Sequence, residues 1–281
     1  MENKPIQELL NFGIINIDKP VGPTSFGVDV IIKRMLGLSK TSHGGTLDPH
    51  VSGVLPILLG RACKLLGYFM HREKKYVGIM RIHKEISQKE LEKEIEKFIG
   101  KIKQTPPVKS RVKREERERE VFSWKILEQD GKDWVFETEV EAGTYIRKLI
   151  SDLGDLIGGA HMLELRRVKA GIFSEQDDNF VNLYDLEKAV GEMKKGNETE
   201  IRKIIIPAED AIKKVLPSFQ VNKKAVKKLM HGSPIFREFL VSELKLDEGE
   251  KFAAFQDDDF IGIYKKKKEG NILAVPEFVK N

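Results

Sequence analysis

The 281-residue chain contains one cysteine, Cys63. A single thiol excludes an intramolecular disulfide and a zinc site built from several cysteines. It fits a reducing compartment. No apolar run approaches the roughly 20 residues that a helix needs to cross a bilayer. The opening MENKPIQELLNFG lacks the apolar region of a signal peptide. The expected location is the cytoplasm, or the nucleus where the cell has one. There is no Walker or GxGxxG phosphate loop, no internal repeat and no metal-ligand cluster, so neither cofactor nor metal is expected. What remains is a globular composition, 40% apolar and 33% charged, with a net charge of +5. That modest basic excess suits a polyanionic partner if it is clustered.

The least ordinary stretch is residues 41–57, TSHGGTLDPHVSGVLPI. Gly44 and Gly45 let the backbone bend or approach a ligand closely. Pro49 biases Asp48 towards an extended conformation. A lone carboxylate is thus fixed on a stiff turn, with His43 five residues before it and the apolar run Val54–Leu59 returning to core. Such a loop can hold a reactive side chain, although an Asp-Pro turn by itself more often only caps the next element.

Around it the chain reads as alternating strands and helices. GIINI (13–17) is a short buried strand closed by Asp18-Lys19-Pro20. Ser25 is placed to cap a helix whose apolar face is Val28, Ile31, Ile32 and Met35, with Gly37 ending it. KYVGIMRI (75–82) is a strand with Tyr76 at its start. Ser87 to Glu90 forms a capping box for a helix with the stripe Leu91, Ile95, Phe98, Ile99 and Ile102. VFSWKIL (121–127) and WVFETEV (134–140) form a hairpin, with Trp134, Phe136, Thr138 and Val140 on its core face. Gly143-Thr144 opens a helix with the stripe Ile146, Leu149, Ile150, Leu153, Leu156 and Ile157. Arg147 falls in its first turn, where the helix dipole disfavours a cation by about 0.3–1 kcal/mol. HMLELRRVKAGIF (161–173) reads as a half-exposed strand. Residues 182–216 are charged and mostly helical. Composition shifts at Pro217, after which short strands (FAAFQ, IGIYK, ILAVP) make a small β-rich module.

Residues 109–120, KSRVKREERERE, hold six basic and four acidic side chains. They read either as a solvated mixed-charge face or as a phosphate-contacting strip led by Lys109, Arg111 and Lys113.

Five stretches, in order, resemble the motifs of the TruB/dyskerin family of pseudouridine synthases: GIINIDKPVGPTS, SHGGTLDPHVSGVLP, KKYVGIMRIH, EAGTYIRKLI and HMLELRRVKAG. PPVKSRVKREERERE resembles the archaeal and eukaryotic dyskerin branch, and LPSFQVNKKAVKKLMHGSPI onwards resembles a PUA RNA-binding domain. Gly44 departs from the hydroxyl side chain often found there in related sequences.

The resemblance implies an α/β (α+β) protein with the pseudouridine synthase fold. Its central mixed, largely antiparallel sheet would be flanked by helices. A catalytic domain would span 1–216, with N-terminal residues able to pack on a PUA domain at 217–281. It implies isomerisation of uridine in RNA, with no cofactor. Asp48 would be the essential carboxylate, as nucleophile or in proton removal at the sugar. Arg147 would be its counter-charge, since a nearby cation favours a charged carboxylate. Tyr76 would stack on the uracil and help remove the C5 proton. His43, Thr46, Lys19, Leu165 and Arg166 would line or support the site.

Partners implied are RNA and the small proteins of an H/ACA ribonucleoprotein, in the nucleolus of a eukaryotic cell. A guide RNA would select the uridine in rRNA, or the T-loop uridine of tRNA would be modified without a guide. A non-catalytic RNA-binding scaffold is the alternative.

Overall fold

A computed structural model describes residues 4–106 and 113–280. The chain divides into two compact units, Met1–Ile206 and Pro207–Asn281. None of the described helices is long and apolar enough to cross a membrane.

The first unit is built on one mixed sheet. Its main strands in chain order are β1 (Gly13–Lys19), β2 (Thr41–His43), β3 (Val51–Leu59), β4 (Lys74–Ile82), β5 (Gly100–Gln104), β6 (Arg117–Asp130), β7 (Asp133–Val140) and β8 (Ala160–Ala170). Across the sheet they run Phe180–Asn182, β1, β3, β8, β4, β7, β6, β5, with β2 beside β3. Most neighbours are antiparallel. Two pairs are parallel: β1 with Phe180–Asn182, and β3 with β8 at a short junction. That junction pairs Val51 with Leu165, Ser52 with Arg166 and Gly53 with Arg167. Gly53 has φ of 103°, and a Cβ there would lie 2.2 Å from the Arg167 carbonyl oxygen, so only glycine lets the two strands close.

Local sequence explains most of these elements. In β7, Trp134, Phe136, Thr138 and Val140 are all buried while the intervening residues are partly exposed, the period of two that a half-covered strand requires. The Ser87–Glu90 capping box forms as expected, with both reciprocal bonds present. Ile146, Leu149, Ile150 and Leu153 bury one face of helix Ile146–Ile157. Each contributes about 1.5–3 kcal/mol by leaving water. Gly158, in the left-handed conformation, ends that helix.

Three expectations need correction. Helix Ser25–Met35 is capped by Thr24, whose hydroxyl accepts the Gly27 N–H at 2.9 Å, so the Ser25 hydroxyl is free for another task. The helix after Ser87 stops at Glu96. Gly100, with φ of 92°, turns the chain there, and Ile102 belongs to β5, where pairing with β6 decides the conformation. Ile31 and Leu156 keep the helical period yet remain exposed.

The second unit has a five-stranded sheet in which Lys251–Gln256, Asp259–Glu269 and Ile272–Val279 form an antiparallel core. Helix Val226–Met230 covers it, and Asn222 accepts the Ala225 N–H ahead of that helix. Phe252, Tyr264, Leu229 and Ile235 are fully buried within it. Helix Ala208–Lys213 groups with this unit: Lys213 sits 4.8 Å from the Phe255 ring centroid, and Lys280 pairs with the buried Glu209. The compact division therefore falls before Pro207.

Candidate active site

The 44–50 loop enters β3 at its parallel junction with β8. Gly45 has φ of 109°, which a side chain rarely tolerates. Gly44 is different: its N–H donates to the Pro56 carbonyl at 2.7 Å, and a Cβ there would make only ordinary contacts. The bend needs glycine at 45 alone. The Val51 N–H donates to the Asp48 carbonyl at 3.0 Å and closes the Asp-Pro turn.

Three buried side chains clamp this loop from outside it. Lys19, at the end of β1, donates to the carbonyls of Pro20 and Val51 at 2.8 Å and of Pro49 at 3.4 Å. Ser25 makes a two-way bond with Leu47, accepting its N–H at 2.8 Å and donating to its carbonyl at 3.1 Å. Arg167, from β8, donates to the carbonyls of Val54 at 2.8 Å and Gly45 at 3.0 Å. Backbone groups on both sides of Asp48 are thus fixed by side chains from β1, the Ser25–Met35 helix and β8.

Asp48 is over half exposed and accepts a charge-assisted hydrogen bond from Arg147. An exposed ion pair adds only about 0–1 kcal/mol to stability. The pair is therefore poorly explained as a structural device. Arg147 is delivered by the first turn of its helix, which has no side-chain cap. Gln104 holds that entrance instead. Its amide donates to the Tyr145 carbonyl at 3.3 Å and accepts the Tyr145 N–H at 3.0 Å.

Tyr76 lies in β4, opposite Arg167 of β8, close enough to favour the charged guanidinium. Arg167 thereby sits beside Tyr76 while it holds the loop that carries Asp48. Leu165, two residues before Arg167 on the same strand face, is 7% exposed. A Cβ on Gly78 would lie 2.9 Å from its Cδ1, so Leu165 is seated over Gly78.

This side of the sheet concentrates positive charge. Burial, then repulsion from Arg167, holds Lys19 below the ordinary lysine range, with Asp48 pulling it back up. Burial pushes Lys74 down to about 8, again with Arg167 repelling it. Lys74 donates to the carbonyls of Met70 at 2.8 Å and Arg72 at 2.6 Å. Burial also lowers Arg167, and Tyr76 offsets part of that effect.

Of the residues singled out from sequence, Asp48 and Arg147 meet directly. Tyr76, Leu165 and Lys19 come to the same strand junction or its loop. His43 and Thr46 contact each other within the loop at 3.2 Å. Arg166 points the other way, to Asp18 (2.9 and 3.1 Å) and Glu175 (2.7 Å). Its neighbour Arg167 supports the loop. Lys113 is exposed and pairs with Glu115. Lys109 and Arg111 lie outside the described residues. Sequence alone points to none of Arg167, Gln104, Lys74 and Asp29, and to Ser25 only as a helix cap. The Leu165–Arg167 spacing of two was the signal available for Arg167.

Fold and site together define an open, sheet-based centre with one carboxylate, an arginine partner and a tyrosine. Comparison with known proteins gives the family. The N-terminal domain of TruB family pseudouridylate synthases matches residues 33–146. The C-terminal domain of tRNA pseudouridylate synthase B matches 147–213. A probable tRNA pseudouridine synthase B from Methanopyrus kandleri is 40% identical over 98% of this chain and 78% of its own length. One from Nanoarchaeum equitans is 46% identical over 82% of this chain and 66% of its own. A crystal structure of a Cbf5–Nop10–Gar1 complex matches 99% of this chain and 88% of that chain, at 36% identity and a TM-score of 0.88. A structure of an H/ACA ribonucleoprotein bound to a substrate RNA containing 2′-deoxyuridine matches at 35% identity and the same TM-score, with the same coverage of both chains. The chain belongs to the TruB family of pseudouridine synthases.

Proposed function

We propose that this chain isomerises uridine to pseudouridine in RNA at the Asp48 loop, as the catalytic subunit of a guide-directed H/ACA ribonucleoprotein. The observation that carries the reading is the Asp48–Arg147 pair, held by Lys19, Ser25 and Arg167 beside Tyr76. The C1′–N1 bond breaks, the uracil turns, and a C1′–C5 bond forms. C5 loses a proton and N1 takes one up. Asp48 acts at the sugar, as nucleophile or as base. Arg147 balances its charge and orients the carboxylate through a directed hydrogen bond. Tyr76 and Leu165 offer the uracil an aromatic and an aliphatic surface. Extruding the base from its stack costs about a few kcal/mol, supplied by RNA contacts elsewhere. Lys109, Arg111 and Lys113, together with the second unit acting as a PUA-type module, provide those contacts by phosphate neutralisation.

The likeness to Cbf5 in the complexes above supports the guide-directed form, acting in the cytoplasm or the nucleolus. The relatives named tRNA pseudouridine synthase B support a second form, on tRNA without a guide. Mapping pseudouridines in a tRNA and an rRNA fragment, with and without an H/ACA guide RNA and its small proteins, separates them. The guide-directed reading expects rRNA modification only when the guide pairs with the fragment. Modification of tRNA alone, indifferent to guide, overturns it in favour of the second form.

A further inference from the structure

His43 is gripped by a carboxylate from a different element. Asp29 lies in helix Ser25–Met35 and is 6% exposed. Its Oδ2 is 2.5 Å from His43 Nδ1. Its Oδ1 is buried with no hydrogen-bond partner among the described residues. On its other side, His43 Nε2 is 3.2 Å from Thr46 Oγ1. The Thr41 hydroxyl donates to the Asp29 carbonyl at 3.2 Å, tying the same helix turn to β2.

An ionised carboxylate only accepts hydrogen bonds, so His43 Nδ1 carries a proton. In the neutral ring Nε2 is then the acceptor and the Thr46 hydroxyl donates to it. A chain of three side chains, Asp29 to His43 to Thr46, therefore ends two residues before Asp48. Packing alone does not account for Asp29. An apolar side chain would fill the site without burying a carboxylate that leaves one oxygen unpaired.

We propose that Asp29 is a positioning residue for the nucleotide entering the Asp48 site. It fixes the tautomer and ring plane of His43, so that Nε2 holds the Thr46 hydroxyl proton and the Thr46 oxygen presents one defined acceptor to RNA. The inference rests on the reading of the Asp48 loop as the active site. Overall RNA affinity is set by phosphate contacts spread over a large footprint. Asp29 acts on placement of one nucleotide, so its loss appears in the rate on bound RNA and hardly in Kd.

The test uses the full chain, assembled with whatever guide and proteins the activity requires. Asp29→Leu removes both charge and acceptor. Asp29→Asn keeps an oxygen acceptor for the Nδ1 proton. The single-turnover rate at saturating RNA should fall about ten-fold or more in Asp29→Leu, with Kd within two-fold, and recover most of that loss in Asp29→Asn. The ¹⁵N shifts of His43 should report an Nδ1-protonated ring in the wild type and in Asp29→Asn, and a shift towards Nε2 protonation in Asp29→Leu. Wild-type turnover in Asp29→Leu, or an unchanged His43 tautomer, overturns the proposal. If Asp29→Leu does not fold, the wild-type spectrum decides: an Nε2-protonated, Nδ1-bare His43 overturns it. An Asp48→Asn variant that turns over normally defeats the active-site reading instead and leaves the tautomer result standing.

Discussion

Replacing Arg167 with methionine tests the clamp on the Asp48 loop quantitatively. Methionine keeps most of the stem and removes the guanidinium. The buried Val54 carbonyl and the half-buried Gly45 carbonyl then lose the donors that now sit 2.8 and 3.0 Å away. A buried acceptor left without a partner costs about 1–3 kcal/mol and a half-buried one less, so the gross loss is at most about 2–6 kcal/mol. Two effects oppose it. The guanidinium no longer has to be desolvated, and Lys74 and Lys19 lose a repelling neighbour. We expect a net destabilisation of about 2–3 kcal/mol, a large share of the roughly 5–15 kcal/mol typical of a domain. Urea unfolding of the two proteins at pH 7 measures it directly. The same variant should turn over bound RNA about a hundred-fold more slowly, because the Gly45 bend loses the side chain that holds it beside Tyr76. The Lys74 midpoint, about 8 in the wild type, should move up, since Arg167 is its second cause after burial. Arg167→Lys should fall between, one ammonium being unable to match the fork of a guanidinium. Stability within about 0.5 kcal/mol of wild type, the scatter expected of a neutral substitution, together with normal turnover, would refute the clamp.

Lys74→Met should show a stability difference from wild type that depends on pH. The folded state binds the Lys74 proton less tightly than the unfolded chain, where the pKa is 10.5, so the penalty is full below about 8 and fades by about 10.5. Relative to the wild type, the variant should therefore lose about 3 kcal/mol of advantage between pH 7 and pH 10.5 in paired urea titrations; a flat difference contradicts the buried-ammonium reading. Ser25→Ala frees Leu47 on both its backbone groups and should cost about 1–3 kcal/mol in thermal or urea unfolding, whereas Thr24→Ala should cost only the cap, about 1 kcal/mol. Charge reversal at Lys109, Arg111 and Lys113 should weaken RNA binding and reduce its salt slope by up to about three counterions; an unchanged slope in a filter-binding titration returns that strip to a solvated face.

The strands and helices that bury one face were legible because their chemistry is local. The alternation through Trp134–Val140 and the stripe from Ile146 to Leu153 each state their own period. The spacing predicts a longer helix after Ser87 because Phe98 and Ile99 continue it, while Gly100 and the pairing of β5 with β6 end it. That information lies about 20 residues away, in β6. Asp48 was visible from its Gly-Gly and Asp-Pro context, and Arg147 through the family motif at a position the helix dipole disfavours. The supporting shell was much less visible. Ser25 reads as a cap, the role that the preceding Thr24 takes. Arg166 and Arg167 are adjacent in sequence and point to opposite faces, so only the register of β8 against β3 and β4 tells which one reaches the loop. Asp29 sits among apolar residues of a helix face, and nothing in its neighbours announces His43.

The most direct test of the account is turnover by Asp48→Asn. The substitution removes a carboxylate that is over half exposed, so folding should be unaffected. Quantitative pseudouridine mapping after incubation with a wild-type substrate RNA should find no product, while RNA affinity stays within about two-fold, since the phosphate contacts that dominate affinity are untouched. Pseudouridine formed at the wild-type rate would contradict the assignment of the reaction to Asp48.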